Sequence, residues 1–563
     1  MSAVSLPPAL LLIIGGLLLP FLPARARPVV SIMLPLATLW AVWAIPDGPS
    51  LVLSFLDRYA LEPVEADAVG RVFATVFALA GLGGVVFGFS RAESKETAAA
   101  LVYCGGAIGC CFAGDWITLF IFWELMALAS TLVIWSSDQP GAAKAGFRYI
   151  LLHLLGGVIL MAGITGQVVQ TGTTDLVALE LGSVASWLIL VGLLINAGAP
   201  PFCAWVADAY PEGSVFGTVF LSAFTTKTAV LLLWRAFPGT EILIAIGVFM
   251  VIYGIIYALL ENDIRRLLSF SIINQVGFMI VGIGIGTELA LNGAAAHAFA
   301  HILYKAALLM SAGSVMYMTG GLRKATELGG LYRSMPITAT CGIIGALAIS
   351  SFPFTSGFVS KTMITAATAD AHLLTAWLFL EAASACAFLY IGLKFPWLVF
   401  FGKDSGLRPP DPPWPMKGAM IAMAALCILI GLFPGVLYSM LPFPVDYSPY
   451  SGAKISATLQ LLLFAGLAFW LLRPILRRTP KITLDMDWLY RKPGLWLGKA
   501  ILGAADETKA GVVTAGMGGI RRLLAKLEDT HGMSGSLGHA WSIGGVMTAV
   551  FAVMALYLLN SYL

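Results

Sequence analysis

The run HAFAHILYKAALLMSAG, residues 297–313, decides how the chain is read. It is apolar enough to lie in a bilayer, yet His297, His301 and Lys305 recur at intervals of four and share one stripe of a helix. Each charged group at bilayer depth costs roughly 2.5–3.5 kcal/mol even on lenient insertion scales, so titratable groups one turn apart mark part of a proton or cation path.

The same character runs through the chain. Of 563 residues, 59% are hydrophobic and 11% charged, and long apolar stretches succeed one another from Pro7 to Leu563. The expected fold class is an all-α polytopic membrane protein with the lipid bilayer as its surroundings. A net charge of +3, with no block of like charge before Leu471, argues against nucleic acid as a partner. The first apolar run has no basic residue before it and no clear small-residue cleavage site, so a retained helix is expected there rather than a signal peptide. Seven cysteines (Cys104, Cys110, Cys111, Cys203, Cys341, Cys386, Cys427) are scattered through apolar segments without a CxxC, and are expected as small buried hydrophobes. No phosphate-cradling loop, cysteine cluster or nucleophile elbow occurs. No metal or cofactor is expected, and any redox catalysis would reside in partner subunits.

Sixteen apolar segments are expected, at about 7–23, 28–46, 68–89, 97–113, 115–136, 147–168, 184–203, 214–235, 241–260, 267–286, 295–317, 337–353, 372–401, 416–437, 455–475 and 541–562. The loops that follow odd-numbered segments hold 26 basic residues and the even side only Arg58, Arg71, Arg235 and Lys454. The bias places the odd loops in the cytoplasm and both termini outside a plasma membrane. Lys227, Lys305 and Lys361 remain as the lysines that fit no loop.

Segment seven carries Gly198-Ala199-Pro200-Pro201, and segment twelve carries Phe352-Pro353-Phe354-Thr355-Ser356-Gly357. Proline removes a backbone donor and glycine permits an unusual turn, so both helices are expected to break. Interruptions at corresponding places of two halves point to an internally repeated transporter; the plainer reading is two proline kinks without a role. In the first half, Glu124 stands mid-helix in LFIFWELMALASTLVIW with no cationic neighbour in sequence, and Lys227 in FLSAFTTKTAVLLLW is the obvious partner. His153 in YILLHLLGGV joins them or is a hydrogen-bonded core histidine. The second half offers His297, His301 and Lys305, followed by Lys361 in SGFVSKTMI. Charge would move along such a row by successive protonation changes, with water filling the gaps.

WELMALAS, ENDIRRLLSFSIINQVGFM, HAFAHILYKAALL and FPFTSGFVSKTMI, in this order, resemble the signatures of the antiporter-like subunits shared by respiratory complex I, membrane-bound hydrogenases and Mrp-type multisubunit sodium/proton antiporters. The resemblance covers segments four to thirteen. It implies that Glu124 is the fifth-helix glutamate and that Lys227, Lys305 and Lys361 are the lysines of helices eight, eleven and twelve. It also implies two inverted five-helix repeats around a central polar axis. The chain then divides into helices 1–3 (1–96), a first repeat (97–236), a second repeat (237–403), helices 14–15 (404–477), an amphipathic segment on the cytoplasmic side (478–540) and a last helix (541–563). Asp263, in ENDIRRLL, is an accessory position.

One departure matters. The family places a lysine shortly before the proline of the broken seventh helix, where LLINAGAPPFCAW has Asn196. Either Lys227 supplies the missing charge or the first half is a weakened or closed channel. The sixth-helix acid of the large complex I subunit is absent too, its place falling near Gly157. Beyond segment fifteen, DMDWLYRK and the stripe Val513, Met517, Ile520, Leu524, Leu527 resemble the C-terminal extension of the largest complex I antiporter-like subunit, lying against a neighbour or along this protein's own surface.

The reading that fits the motif wording is the proton- or cation/proton-translocating D-type subunit of an Mrp-like antiporter. It implies other membrane subunits as partners, and protons with Na+ or another monovalent cation as cargo. The alternative is a proton-pumping subunit of a complex I-type oxidoreductase or a membrane-bound hydrogenase, which the C-terminal extension favours. A third is a membrane scaffold whose channel no longer conducts.

Overall fold

The structure is a computed structural model that describes residues 6–55, 58–89 and 91–472 and scattered positions between 485 and 499. The chain divides into two compact units, Met1–Asp487 and Trp488–Leu563, and the architecture below is that of the first. The expected segment 541–562 and the stripe from Val513 to Leu527 lie outside the described residues.

Eleven described helices are long and apolar enough to cross a membrane. The chain runs through α1 (Ala9–Leu18), α2 (Arg27–Ala44), α3 (Ala68–Phe87), α4 (Ser94–Phe112), α5 (Trp116–Trp135), α6 (Ala142–Thr171), α7 (Val184–Ala197), α8 (Trp205–Ala209), α9 (Gly217–Ala223) and α10 (Thr225–Ala236). It continues through α11 (Ile242–Leu260), α12 (Ile264–Ile285), α13 (Glu288–Met318), α14 (Pro336–Ile349), α15 (Ser356–Asp370) and α16 (Leu374–Ala387), then the helices Trp414–Leu432 and Gly452–Leu472. At the centre stands α13, in contact with α3, α12, α14, α15 and Trp414–Leu432. Every residue from Ala290 to Met316 is buried, as expected of a helix that is apolar all round and enclosed by others.

The all-α expectation needs one correction. Gly48–Phe55 and Tyr59–Ala66 form a two-stranded antiparallel hairpin in what reads as a plain loop. An isolated hairpin is marginal in water, and this one is pinned by its neighbours. The Glu62 amide donates to Asp115 Oδ2 at 2.7 Å, the Gly114 amide to the Glu62 carbonyl at 2.9 Å, and the Thr174 hydroxyl to the Ala60 carbonyl at 2.9 Å.

Both predicted breaks are present. After α7, Gly198 adopts a left-handed φ of 75°, which costs least for a residue without a Cβ, and the helix resumes only at Trp205. After α14, Ser351 and Phe354 take φ of 57° and 68° before α15 begins. Two further interruptions were not expected. Phe224 separates α9 from α10, and Phe388–Leu393 and Trp397–Phe401 are π-helical on either side of Pro396, whose ring denies the α-helix a donor.

The connections sort into two sets. The hairpin, residues 113–115, 174–179, 236–239 and the end of α12 are joined by backbone hydrogen bonds. Glu96, Asp208, residues 211–214, 261–266 and 323–324 form the other set, tied by Arg148–Asp208 at 2.7 Å, Arg323–Glu212 at 3.0 Å, Arg323–Asp263 at 2.7 Å and Arg266–Glu261 at 2.9 Å. Arg265, 2% exposed, donates to the carbonyls of Gly213 and Ser214, both at 2.8 Å. The first set belongs to even-numbered loops and the second to odd-numbered ones, so the basic excess of the odd side is partly consumed in ion pairs.

Candidate functional site

In the second half, four helices converge on the row read from sequence. On α13, His297 meets Ser360 Oγ of α15 through Nδ1 at 2.9 Å and Gln275 Oε1 of α12 through Nε2 at 3.2 Å. One turn on, His301 is fully buried with neither ring nitrogen hydrogen-bonded. After another turn, Lys305 donates to the Leu268 carbonyl at 3.1 Å and to the Ser271 hydroxyl. Lys361 donates to the Ile349 carbonyl at 2.7 Å and lies 4.7 Å above the ring of Phe278.

The contacts of Lys361 and Lys227 share a physical origin. An unpaired ammonium out of water must find donor-satisfying oxygens, and broken helices expose carbonyls that have lost their i+4 amide. Ile349 is the last residue of α14, so its carbonyl is free because the chain breaks. Lys227, fully buried, donates to the Ser222 carbonyl at 2.7 Å, freed by the bend at Phe224, and to the Thr226 hydroxyl at 3.1 Å. A negative helix end also attracts the cation through its dipole. The groups that act on one another run Lys227–Lys305–Lys361, with His301 facing all three.

The pairing of Glu124 with Lys227 is not what the fold builds. Among the described residues, no ion pair joins them, and buried Glu124 Oε1 has no hydrogen-bond partner. The carboxylate instead fills the space beside Gly157 of α6, where any added Cβ would collide with it. Asn196, 1% exposed at the end of α7, lies over Gly156, one residue away, and both its amide atoms lack partners. His153 stacks on Tyr149 at 3.8 Å, and its Nδ1 lies 2.9 Å from the Tyr149 carbonyl while Nε2 is unpartnered. Glu124 of α5 and Asn196 of α7 thus face α6, which itself carries His153, each with an open polar atom, whereas Lys227 turns to the second-half row. Asp263 is apart from both clusters: it caps α12, accepting from the amides of Arg265 and Arg266.

Several groups escaped the sequence reading. Lys394, counted with a loop, is 1% exposed and donates to the carbonyls of Ala258 and Leu259, both at 2.8 Å, at the end of α11. It is the fourth buried lysine among the described residues; the signal was its place inside the apolar run IGLKFPWLVFF. Glu381 of α16, hydrogen-bonded to Thr365, is the carboxylate that acts on Lys361. Asn274 and Gln275 stand in a quoted motif and were given no role. The seven cysteines are free thiols, six buried and Cys386 partly so.

With this geometry in hand, comparison with known proteins is specific. The family model described as NADH:quinone oxidoreductase/Mrp antiporter, TM matches residues 113–385, a range that holds Glu124, Lys227, His297, His301, Lys305 and Lys361. The chain is 29% identical over 359 residues to a probable K(+)/H(+) antiporter A/B-type subunit of Rhizobium meliloti, covering 59% of this chain and 36% of that one. It is 28% identical to the A-type Na(+)/H(+) antiporter subunit of Alkalihalophilus pseudofirmus, covering 70% and 54%, and 29% identical to the D-type subunit of that organism, covering 52% and 65%. The chain thus spans roughly a third to two thirds of these curated relatives. Its fold matches a chain of the Mrp complex from Dietzia sp. with a TM-score of 0.77 at 22% identity, covering 99% of this chain and 62% of that one. It also matches a chain of the membrane-bound sulfane sulfur reductase, an archaeal respiratory membrane complex, with a TM-score of 0.70 at 22% identity, covering 98% and 99%. Residues 113–385 thus match the model of the NADH:quinone oxidoreductase/Mrp antiporter transmembrane family, and the chain is a homologue of Mrp-type antiporter subunits.

Proposed function

We propose that the chain is the proton- or cation/proton-translocating membrane subunit of a multisubunit Mrp-type Na+/H+ antiporter. The carrying observation is the buried row His297, His301, Lys305 and Lys361, continued by Lys227, whose lysines are held by carbonyls and hydroxyls rather than by carboxylate ion pairs. An ammonium solvated only by neutral oxygens can release and regain a proton without breaking an ion pair, which suits a relay step. Glu124 supplies the first-half acid, with His153 and Asn196 beside it. Protons cross through these groups and intervening water while partner subunits hold the other cation's route.

The proposal includes sixteen membrane helices, two inverted five-helix repeats, a plasma-membrane location and both termini on the outer side. Equivalent features in the two halves support the repeats. Asp115 caps α5 and bridges Asp175 after α6; Asp263 caps α12 and bridges Lys324 after α13, in the opposite loop set. The helices α6 and α13 run to 30 and 31 residues, and the broken helix follows each. His153 and His301 lie 22 and 23 residues before their bridge residues. The second reading, a subunit of a complex I-type or hydrogenase-like redox complex, is favoured by the end-to-end fold match to the archaeal reductase chain.

Co-purification of a tagged chain separates the two. Small hydrophobic antiporter subunits support the first; iron–sulfur or nickel subunits would replace it by the second. Single cysteines placed near Ser2 and after Ser561 should react with an impermeant thiol reagent outside intact cells. Labelling only after the membrane is opened would overturn the sixteen-helix topology.

A further inference from the structure

We infer that Gln275 is a positioning residue that holds neutral His297 with its proton on Nε2, leaving Nδ1, on the side of Ser360 and Lys361, as the nitrogen that exchanges protons.

The inference follows from one acceptor that cannot change roles. The Val251 carbonyl of α11 accepts from Asn274 Nδ2 at 2.9 Å. A carbonyl has no hydrogen to give, so the Asn274 amide can turn only one way, with Oδ1 toward its neighbours. That oxygen accepts from Tyr390 OH at 3.2 Å and from Gln275 Nε2. Turning Gln275 over would set two carbonyl oxygens against each other, so its own Oε1 must face α13. There it meets Tyr304 OH at 3.1 Å and His297 Nε2 at 3.2 Å. An oxygen with lone pairs only demands a hydrogen from each, so Nε2 carries the proton.

The other side of the ring is free to change. Ser360 Oγ, 2.9 Å from Nδ1, also lies 3.1 Å from the Ser356 carbonyl. With His297 neutral, the serine hydrogen points to Nδ1; with His297 charged, Nδ1–H donates to Oγ and the hydroxyl turns to the Ser356 carbonyl. Both states are fully hydrogen-bonded, so the proton changes hands without leaving a buried polar atom unsatisfied. All six side chains of this chain are buried. The titratable or charged groups around His297 are Lys361 of α15, Lys227 of α10, and Tyr304 and His301 of its own helix. A proton released from Nδ1 therefore moves toward α15, away from the amide pair. This deepens the proton-path reading and depends on it.

The test uses the full-length chain, labelled with 15N-histidine and reconstituted in lipid vesicles. The His297 resonances are assigned by their loss in His297→Phe. The neutral ring should show the Nε2–H tautomer. In Gln275→Leu that preference should disappear, the pH profile of proton flux should shift, and flux should fall by roughly a hundredfold, the low end of what a positioned proton-transfer group contributes. Gln275→Glu keeps an acceptor at the same place and should retain the Nε2–H form. A wild-type Nδ1–H tautomer, wild-type tautomer and pH profile in Gln275→Leu, or an Nδ1–H tautomer in Gln275→Glu would each overturn the inference. Normal flux in His297→Phe would instead remove His297 from the path and leave the tautomer result standing.

Discussion

The two halves each carry a histidine on a long unbroken helix and diverge four residues later: His153 is followed by Gly157, His301 by Lys305. In the second half the lysine occupies its own space and is solvated by Leu268 and Ser271. In the first half the space is vacated, and the Glu124 carboxylate enters it from α5. Under the proposed repeat, the backbone is kept while a cation on one helix is exchanged for an anion from the next. The consequence is a first half in which Glu124 Oε1, both Asn196 amide atoms and His153 Nε2 lack partners, and a second half in which the lysines and His297 are bonded and the two ring nitrogens of His301 are open. Open polar valences in a dry interior are costly unless water fills them, so the proposed path calls for water around Glu124, Asn196 and His153 in the first half and at His301 in the second.

The comparison is broken most directly by removing the second-half bases. Lys305→Ala and Lys361→Ala should each abolish ion-coupled flux while the protein still inserts and assembles, because losing one charge from an apolar helix eases insertion. Normal flux in both variants would make these lysines structural. Next comes the glycine that admits Glu124. Gly157→Ala should cost about 1–3 kcal/mol by overpacking, read as loss of assembled protein and a lower thermal midpoint. Adding Glu124→Ala should recover assembly but not flux; equal losses with and without Glu124 would show that the carboxylate does not fill that space.

A smaller effect concerns coupling. Since Lys227 bonds to Ser222 and Thr226, Glu124→Gln and Lys227→Gln should act additively on assembly, within about 0.5 kcal/mol in a double-mutant cycle. A larger coupling would restore the Glu124–Lys227 pair. The smallest contrast lies at the helix caps. Asp115→Ala and Asp263→Ala should each cost about 0.5–2 kcal/mol through lost capping. Burial holds the Asp263 carboxyl above its usual range, opposed by the Arg323 guanidinium 2.7 Å away. Its contribution to stability is thus complete below the unfolded-state value and lost as pH rises through the folded-state one. Thermal midpoints of wild type and Asp263→Ala should therefore separate further on acidification; a gap that narrows would reverse the sign.

The amino-acid sequence by itself determined the membrane class, the two broken helices and the membership of Glu124, Lys227, His297, His301, Lys305 and Lys361 in buried segments. These follow from composition, from proline and glycine, and from the cost of charge in lipid, all of which act locally. It also holds the signal for Lys394, whose place inside the apolar run IGLKFPWLVFF sets it within a membrane segment rather than a loop. Only the tertiary structure decided who meets whom. Whether Glu124 faces Lys227 or Gly157 depends on how α5 and α6 are rotated against each other, and no spacing within either helix records that angle. The hairpin at Gly48–Ala66 exists because Asp115, Gly114 and Thr174 arrive to bond it. The roles of Asn274 and Gln275 pass from a carbonyl on α11 to a ring on α13. Such partners are distant in sequence, and hydrogen-bond direction is a property of the assembled neighbours rather than of any one segment.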